Sequence, residues 1–185
     1  MMLTVKKRRK LSLTNYNKRV ALLKGNTMRV IVRRTNKSVL MQVAEYAPAG
    51  DRIVASVNSK ELAPIGWNPK CNIPTAYLTG LMLARKAKSL GAKQFVLDIG
   101  IYKPVKSSVI FAAAKGAADG GMKLTNSIEF DQKRLSGQHI ANYADKLKGD
   151  EQTYKRQFAD YIEKKVDVSR LNETFENAKK KIMSE

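Results

Sequence analysis

The stretch MRVIVRRTNKSVLMQVA, residues 28–44, decides the fold class. Val and Ile crowd residues 28–34, Thr35-Asn36-Lys37 supplies turn formers, and VLMQVA resumes the apolar run as far as Ala44. β-Branched segments on either side of a short polar break make a β-hairpin. Moving outward, Pro48, Ala49, Gly50 and Asp51 form the next turn and Ile53 to Val57 a third strand. Three strands with short connections read as an antiparallel meander.

Beyond the meander the period changes to that of helices. Residues 58–73, with Pro64, Gly66, Pro69 and the lone Trp67, form a loop held by apolar plugs. Trp67 is either an anchor of that loop or a platform for a base, and a Trp between two prolines favours the anchor. Pro74 opens a helix whose Tyr77, Leu78, Leu81, Met82 and Ala84 cover one side, with Arg85, Lys86 and Lys88 toward its carboxyl end and Gly91 as its stop. QFVLD, residues 94–98, reads as a short strand in a central position covered on both faces. Val109, Ile110, Ala113, Ala114 and Ala117 then mark a second helix, halted by Gly120-Gly121. The result is an α/β domain.

Two further amphipathic helices follow, one carrying Tyr154, Phe158, Tyr161 and Ile162, the other Val168, Leu171, Phe175, Ala178 and Ile182. Their default is burial on the domain. The organisation is therefore a basic arm with a short helix over residues 1–27, an α/β body over 28–125 and a helical extension over 126–185.

Charge points to function. The chain of 185 residues carries a formal net charge of +19. No acidic residue precedes Glu45, while Lys6, Lys7, Arg8, Arg9, Lys10, Lys18, Arg19, Lys24, Arg29, Arg33, Arg34 and Lys37 all do. A one-sign segment of this length calls for compensation by an external polyanion, and a phosphate backbone is the simplest. In the arm, Tyr16, Val20 and Leu23 share one helical face and Lys18 and Arg19 lie on another, so a basic arm leads into a short docked helix. In the hairpin, arginine forks at Arg29, Arg33 and Arg34, with Asn36 and Lys37 at the tip, suit phosphate oxygens and base edges. Arg29 has a second reading, in which its stem lies over the sheet. Lys103 and Lys106 precede a helix that Ser107 or Ser108 caps, either an ordinary cap or a phosphate cradle.

Other classes find less support. Cys71 is the only cysteine, so no disulfide forms within the chain, which fits a reducing cytosol. No apolar run approaches the roughly 20 residues that span a bilayer, and the expectation is a protein neither secreted nor embedded in a membrane. His139 is the only histidine and sits in no nucleophile or metal motif. Asp98 and Asp119 could form a metal-binding carboxylate pair in the manner of α/β nucleases, though capping or core roles suit each better. No catalytic residue, metal or cofactor is expected. A non-specific basic RNA-binding or RNA-chaperone protein shares the charge and stays as an alternative.

Seven segments together carry a resemblance. Tyr16-Asn17-Lys18-Arg19, VRRTNKS (32–38), AYLTGLMLARKA (76–87), LDIG (97–100), AAAKGAADGG (112–121), GQHIANYADKL (137–147) and YKRQFADYIEKKV (154–166) follow one another as in the large-subunit ribosomal protein eighteen family, in its archaeal and eukaryotic form. The chain resembles that family from end to end. The resemblance implies a mixed-sheet α/β body with packed helices, an N-terminal arm and a C-terminal helical extension. It implies a non-enzymatic constituent of the cytoplasmic ribosome that binds 5S rRNA and attaches it to the large-subunit rRNA of the central protuberance, beside neighbouring large-subunit proteins. Its RNA-contacting segments fall on Arg8, Arg9, Tyr16, Lys18 and Arg19 in the arm, and on Arg33, Arg34, Asn36 and Lys37 in the hairpin. The remaining cations of the candidate site, Lys7, Lys10, Arg29, Lys103 and Lys106, come from the charge pattern.

Overall fold

Alternation along residues 28–58 builds a sheet with two unlike faces. The computed structural model describes residues 7–91, 94–125 and 127–184. Strands β1 (Met28–Arg34), β2 (Val39–Glu45) and β3 (Arg52–Asn58) form the expected antiparallel meander. The β1–β2 turn is closed by Thr35, whose backbone N–H donates to Ser38 O at 2.8 Å and whose hydroxyl accepts from Ser38 N at 3.0 Å. Val30, Val32, Val39, Met41, Val43 and Val57 are fully buried on one face. Successive side chains point to opposite faces, so Arg29, Ile31 and Arg33 stand on the other.

The fourth strand, β4 (Phe95–Asp98), pairs in parallel with β1, giving the order β3-β2-β1-β4 and a mixed sheet. QFVLD is therefore an edge strand and does not lie centrally. Among the described residues its outer side has only a bridge at Phe95, which donates to Lys123 O at 2.8 Å and accepts from Thr125 N at 3.0 Å. An apolar run reports what covers a strand's faces, and faces are independent of its hydrogen-bonded neighbours.

The buried sheet face lies under α3 (Ile73–Ala87) and α4 (Val109–Asp119). Asn72 caps α3 by accepting from Thr75 N at 3.1 Å, and Pro74 sits in its first turn. The two helices nearly touch: a Cβ on Gly80 would strike Ala113 O, and one on Gly116 would strike Tyr77 O. Only glycine permits that backbone approach.

The last third adds α5 (Gln132–Leu135), α6 (Gln138–Lys146), α7 (Glu151–Glu163) and α8 (Leu171–Ser184). The stripe Val168, Leu171, Phe175, Ala178 and Ile182 is buried, and Phe175 packs on Trp67 and Tyr77 with ring centroids 6.0 and 5.7 Å away. Trp67 is an anchor: it is 2% exposed and its Nε1 donates to Thr75 Oγ1 at 2.9 Å. Ahead of the sheet stand α1 (Lys7–Lys10) and α2 (Tyr16–Leu23), the latter capped by Asn15, whose side chain accepts from Lys18 N at 3.1 Å. The docking of α2 differs from the expected apolar face, since Val20 is 56% exposed and no residue of the helix is fully buried. Tyr16, Leu22 and Leu23 are half-buried while Val20 and Ala21 are exposed, so the apolar contact is small and a charge network adds to the attachment. Among the described residues no helix is long and apolar enough to cross a membrane.

Candidate nucleic-acid interface

The polar sheet face is organised by two carboxylates shared among three arginines. Asp51, in the turn before β3, receives Arg19 Nη2 of α2 at 2.9 Å and Arg29 Nη2 of β1 at 2.7 Å. Asp98, at the end of β4, receives Arg29 Nη1 at 3.2 Å and Arg33 Nη2 at 3.0 Å. The chain Arg19–Asp51–Arg29–Asp98–Arg33 thus ties the arm helix, the hairpin and the edge strand into one unit. Its centre, Arg29, is 1% exposed. A buried guanidinium persists because carboxylates lie on both sides of it. The pairing is imperfect, as Arg29 Nε has no hydrogen-bond partner and Nη2 meets Asp51 without a linear bond.

Arg33 is held more tightly. Its guanidinium donates to Val32 O and Asp98 O, both at 2.8 Å, as well as to the Asp98 carboxylate. It rests over Gly100, where a Cβ would stand 2.8 Å from Arg33 Cζ and where φ is +63°. Glycine fits this position on both counts. Gly100 N also donates to Asp98 Oδ1 at 2.8 Å, so both oxygens of that carboxylate are engaged.

The residues named from the sequence take different places around this network. Lys7, Arg8, Lys10, Lys18, Arg34, Asn36, Lys37, Lys103 and Lys106 are exposed, and Tyr16, Arg19 and Arg33 are half-buried. Lys6 and the side chain of Arg9 lie outside the described residues. Arg29 is the correction: its guanidinium is inside, on the two carboxylates, and contributes by holding neighbours rather than by reaching a phosphate. Arg33 and Arg34, adjacent on β1, necessarily diverge. Arg34 leans over the Tyr102 ring, 5.6 Å from its centroid, while Tyr102 OH donates to Arg34 O at 2.9 Å.

Three segments converge here. Arg8, Lys18 and Arg19 from the arm, Arg33 from the hairpin and residues 97–102 with Pro104 line a common cleft of about 670 Å³. The arm is folded back on itself at that point, with Arg8 Nε donating to Thr14 Oγ1 at 2.9 Å. Arg34, Tyr102 and Lys103 line an adjacent hollow. Lys106 lies farther along the loop, and Ser108 occupies the N-cap position of α4 without a side-chain capping bond.

Asp51 and Tyr102 were absent from the residues named for the interface, and Asp98 was considered only as half of a metal-binding pair with Asp119. A signal for the two network carboxylates, Asp51 and Asp98, existed. Arg29 and Arg33 share the parity of Ile31 on a strand whose other face is core, and guanidiniums at that spacing require nearby acids. Asp98 and Asp119 do not meet as a metal-binding pair: Asp119 receives Lys115 Nζ at 2.9 Å and the Tyr77 hydroxyl at 3.0 Å, away from Arg29. Burial, and then the nearby Asp119 carboxylate, push the Tyr77 phenol up from its ordinary pKa. Among the described residues no group of three or more His, Cys, Asp or Glu side chains could hold a metal ion.

Residues 3–94 match the family described as ribosomal large subunit proteins 60S L5 and 50S L18. The match covers the arm, the meander and α3, and stops just short of β4.

Proposed function

The chain belongs to the family of ribosomal large-subunit proteins 60S L5 and 50S L18, and from that premise we propose that it binds 5S rRNA and attaches it to the large-subunit rRNA of the central protuberance. Membership makes it a structural, rRNA-binding constituent of the large ribosomal subunit, in a family that is not enzymatic. In this reading the arm and short helix of residues 1–27 and the hairpin of the body touch RNA, through Lys7, Arg8, Arg9, Lys10, Tyr16, Lys18, Arg19, Arg33, Arg34, Asn36 and Lys37. Lys103 and Lys106 extend the contact, and Arg29 holds it together from behind. The partners are 5S rRNA, large-subunit rRNA and neighbouring proteins of the protuberance, in cytoplasmic ribosomes.

One observation carries the reading: cations of the arm helix and the hairpin meet beside the edge strand, with Arg19, Arg29 and Arg33 fixed to each other by Asp51 and Asp98. A-form RNA hides its major groove and exposes phosphates, 2′-hydroxyls and loop bases, so it is recognised by shape. A pre-set array of cations can match a shape, whereas a loose basic tail matches only charge. Phosphate contacts of this kind fix register and orientation.

Equilibrium binding to 5S rRNA, against a length-matched unrelated RNA and over a salt series, tests this. The expected result is a preference for 5S rRNA that survives high salt. Equal affinities that collapse together with salt would overturn it in favour of non-specific RNA binding.

A further inference from the structure

We propose that the cleft between the arm and the loop after β4 receives one unpaired nucleotide of the bound RNA, turned out of its stack. This rests on the RNA-binding reading above and specifies the contact that would make it selective. The walls of the cleft are apolar, formed by Leu13 and Leu22 from the arm and by Leu97, Ile99, Ile101 and Pro104 from the edge strand and its loop. Two of these, Leu13 and Ile101, are 52% and 55% exposed. Arg8, Lys18 and Arg19 line the same space from the arm side, and Arg33 from the hairpin.

That combination selects among occupants. A phosphate backbone alone would satisfy the cations and leave the apolar walls wet. A continuous A-form helix keeps its bases stacked inside, with nothing apolar to offer. An apolar peptide would offer no anion to Arg8 and Lys18, the two cleft cations that Asp51 and Asp98 do not reach. A splayed nucleotide carries an apolar, flat base and an anionic phosphate on one unit, and answers both requirements. Its volume suits a cleft of about 670 Å³, which lies within the range of small-molecule sites.

Arg33 gives the base a surface. Its guanidinium is a plane immobilised by Val32 O, Asp98 O and Asp98 Oδ1, and its side chain remains 38% exposed. Planar guanidinium groups stack on nucleobases as aromatic rings do. The one carboxylate in the cleft, Asp98, has both oxygens occupied by arginines and Gly100 N, so it is not free to bind a competing cation. The base lies on Arg33 between the apolar walls, and the phosphate faces Lys18 and Arg8.

The test fills the cleft without altering charge. Ala21 lines it from α2 and is exposed, whereas Val20 is exposed on the same helix and does not line it. Ala21→Trp is expected to weaken 5S rRNA binding at least tenfold, with affinity for an unrelated duplex RNA and the salt slope unchanged. Val20→Trp is expected to bind as the parent protein does. Ile101→Asn, which removes one apolar lip on an exposed loop, serves as a second variant should the first misfold, and is expected to lose roughly threefold. 5S rRNAs carrying 2-aminopurine singly at each unpaired adenosine report the base itself: one position should change fluorescence with the parent protein and not with Ala21→Trp. Full 5S affinity in both cleft variants would overturn the proposal. So would equal losses on 5S and duplex RNA, which would mean that the cleft holds backbone only. Saturation of the cleft by free AMP or UMP at micromolar concentration would likewise replace an RNA nucleotide with a mononucleotide ligand. Lack of 5S preference in the parent protein would instead defeat the RNA reading itself, before any variant is made.

Discussion

Two helices are fastened to the same body by opposite means. α8 lies on α3 through an apolar stripe, with Phe175 between Trp67 and Tyr77. α2 has no fully buried residue and is held through Arg19, which reaches Asp51 and through it the buried Arg29. Apolar burial is non-directional and tolerant of salt. Ion pairing is directional, and where it is half exposed it is screened. The first kind of attachment makes a scaffold. The second leaves α2's exposed cations fixed in direction while the helix itself stays lightly held, which suits an element that meets a polyanion.

The comparison is broken most severely on the apolar side. Phe175→Ala removes a ring that is 2% exposed and leaves a cavity between Trp67 and Tyr77. Substitutions of this kind cost about 3–5 kcal/mol. Denaturant unfolding should show that loss, and amide exchange should show lowered protection throughout α8 with α2 unchanged. Loss of protection in α2 to the same degree would mean that the two attachments are one cooperative unit.

The charged side is the next to break. Arg29→Met keeps an unbranched apolar stem, removes the guanidinium and strips both carboxylates of their shared partner. Removing one member of a buried pair costs about 3–5 kcal/mol when the other is stranded. Here Asp51 keeps Arg19 and Asp98 keeps Arg33, so about 2 kcal/mol is expected. The distinguishing readout is local: exchange protection of α2 should fall to that of a freely opening helix, and 5S rRNA affinity should fall with it. Full retention of both would show that α2 is held by something other than the network.

These expectations also show what could be read before the fold was known. The meander, α3 and the burial of the last helix follow from periods of 2 and 3.6, because burial of a face leaves a periodic trace. The β4 edge position left none, since LDIG looks the same beside one strand or two. The basic segment was legible as charge, but its division was not. Arg29 and Lys18 look alike in a list of cations, and only the approach of Asp51 and Asp98, remote in sequence, separates a buried brace from an exposed contact. Strand parity could have linked Arg29 with Arg33 and set Arg34 apart. Nothing in the sequence could have placed Leu13 opposite the loop that follows β4, because that approach depends on how the arm folds back at Thr14.

The smallest effect sharpens the contrast on the scaffold side, where one charged cluster accompanies the apolar packing. Asp160 of α7 receives Lys70 Nζ at 2.8 Å and Asn68 Nδ2 at 3.1 Å, with Lys164 Nζ alongside. The Lys70 hydrogen bond, aided by Asn68, holds its carboxyl at about 2, against an ordinary value of 3.8. A carboxyl whose pKa is lower in the folded than in the unfolded state stabilises the fold fully above its unfolded value, and that contribution is lost as pH falls through the folded value. The stabilisation from Asp160 is therefore complete above about pH 4 and gone below about pH 2. Because the group is about one-third exposed, screening reduces its weight, and the change should amount to less than about 1 kcal/mol. Unfolding midpoints of the parent protein and Asp160→Asn, followed from pH 6 to pH 2, should converge across that window. A gap that stays constant would show that Asp160 acts through the shape of its hydrogen bonds and not through its charge, and α7 would then be fastened to the loop at Asn68 without help from electrostatics.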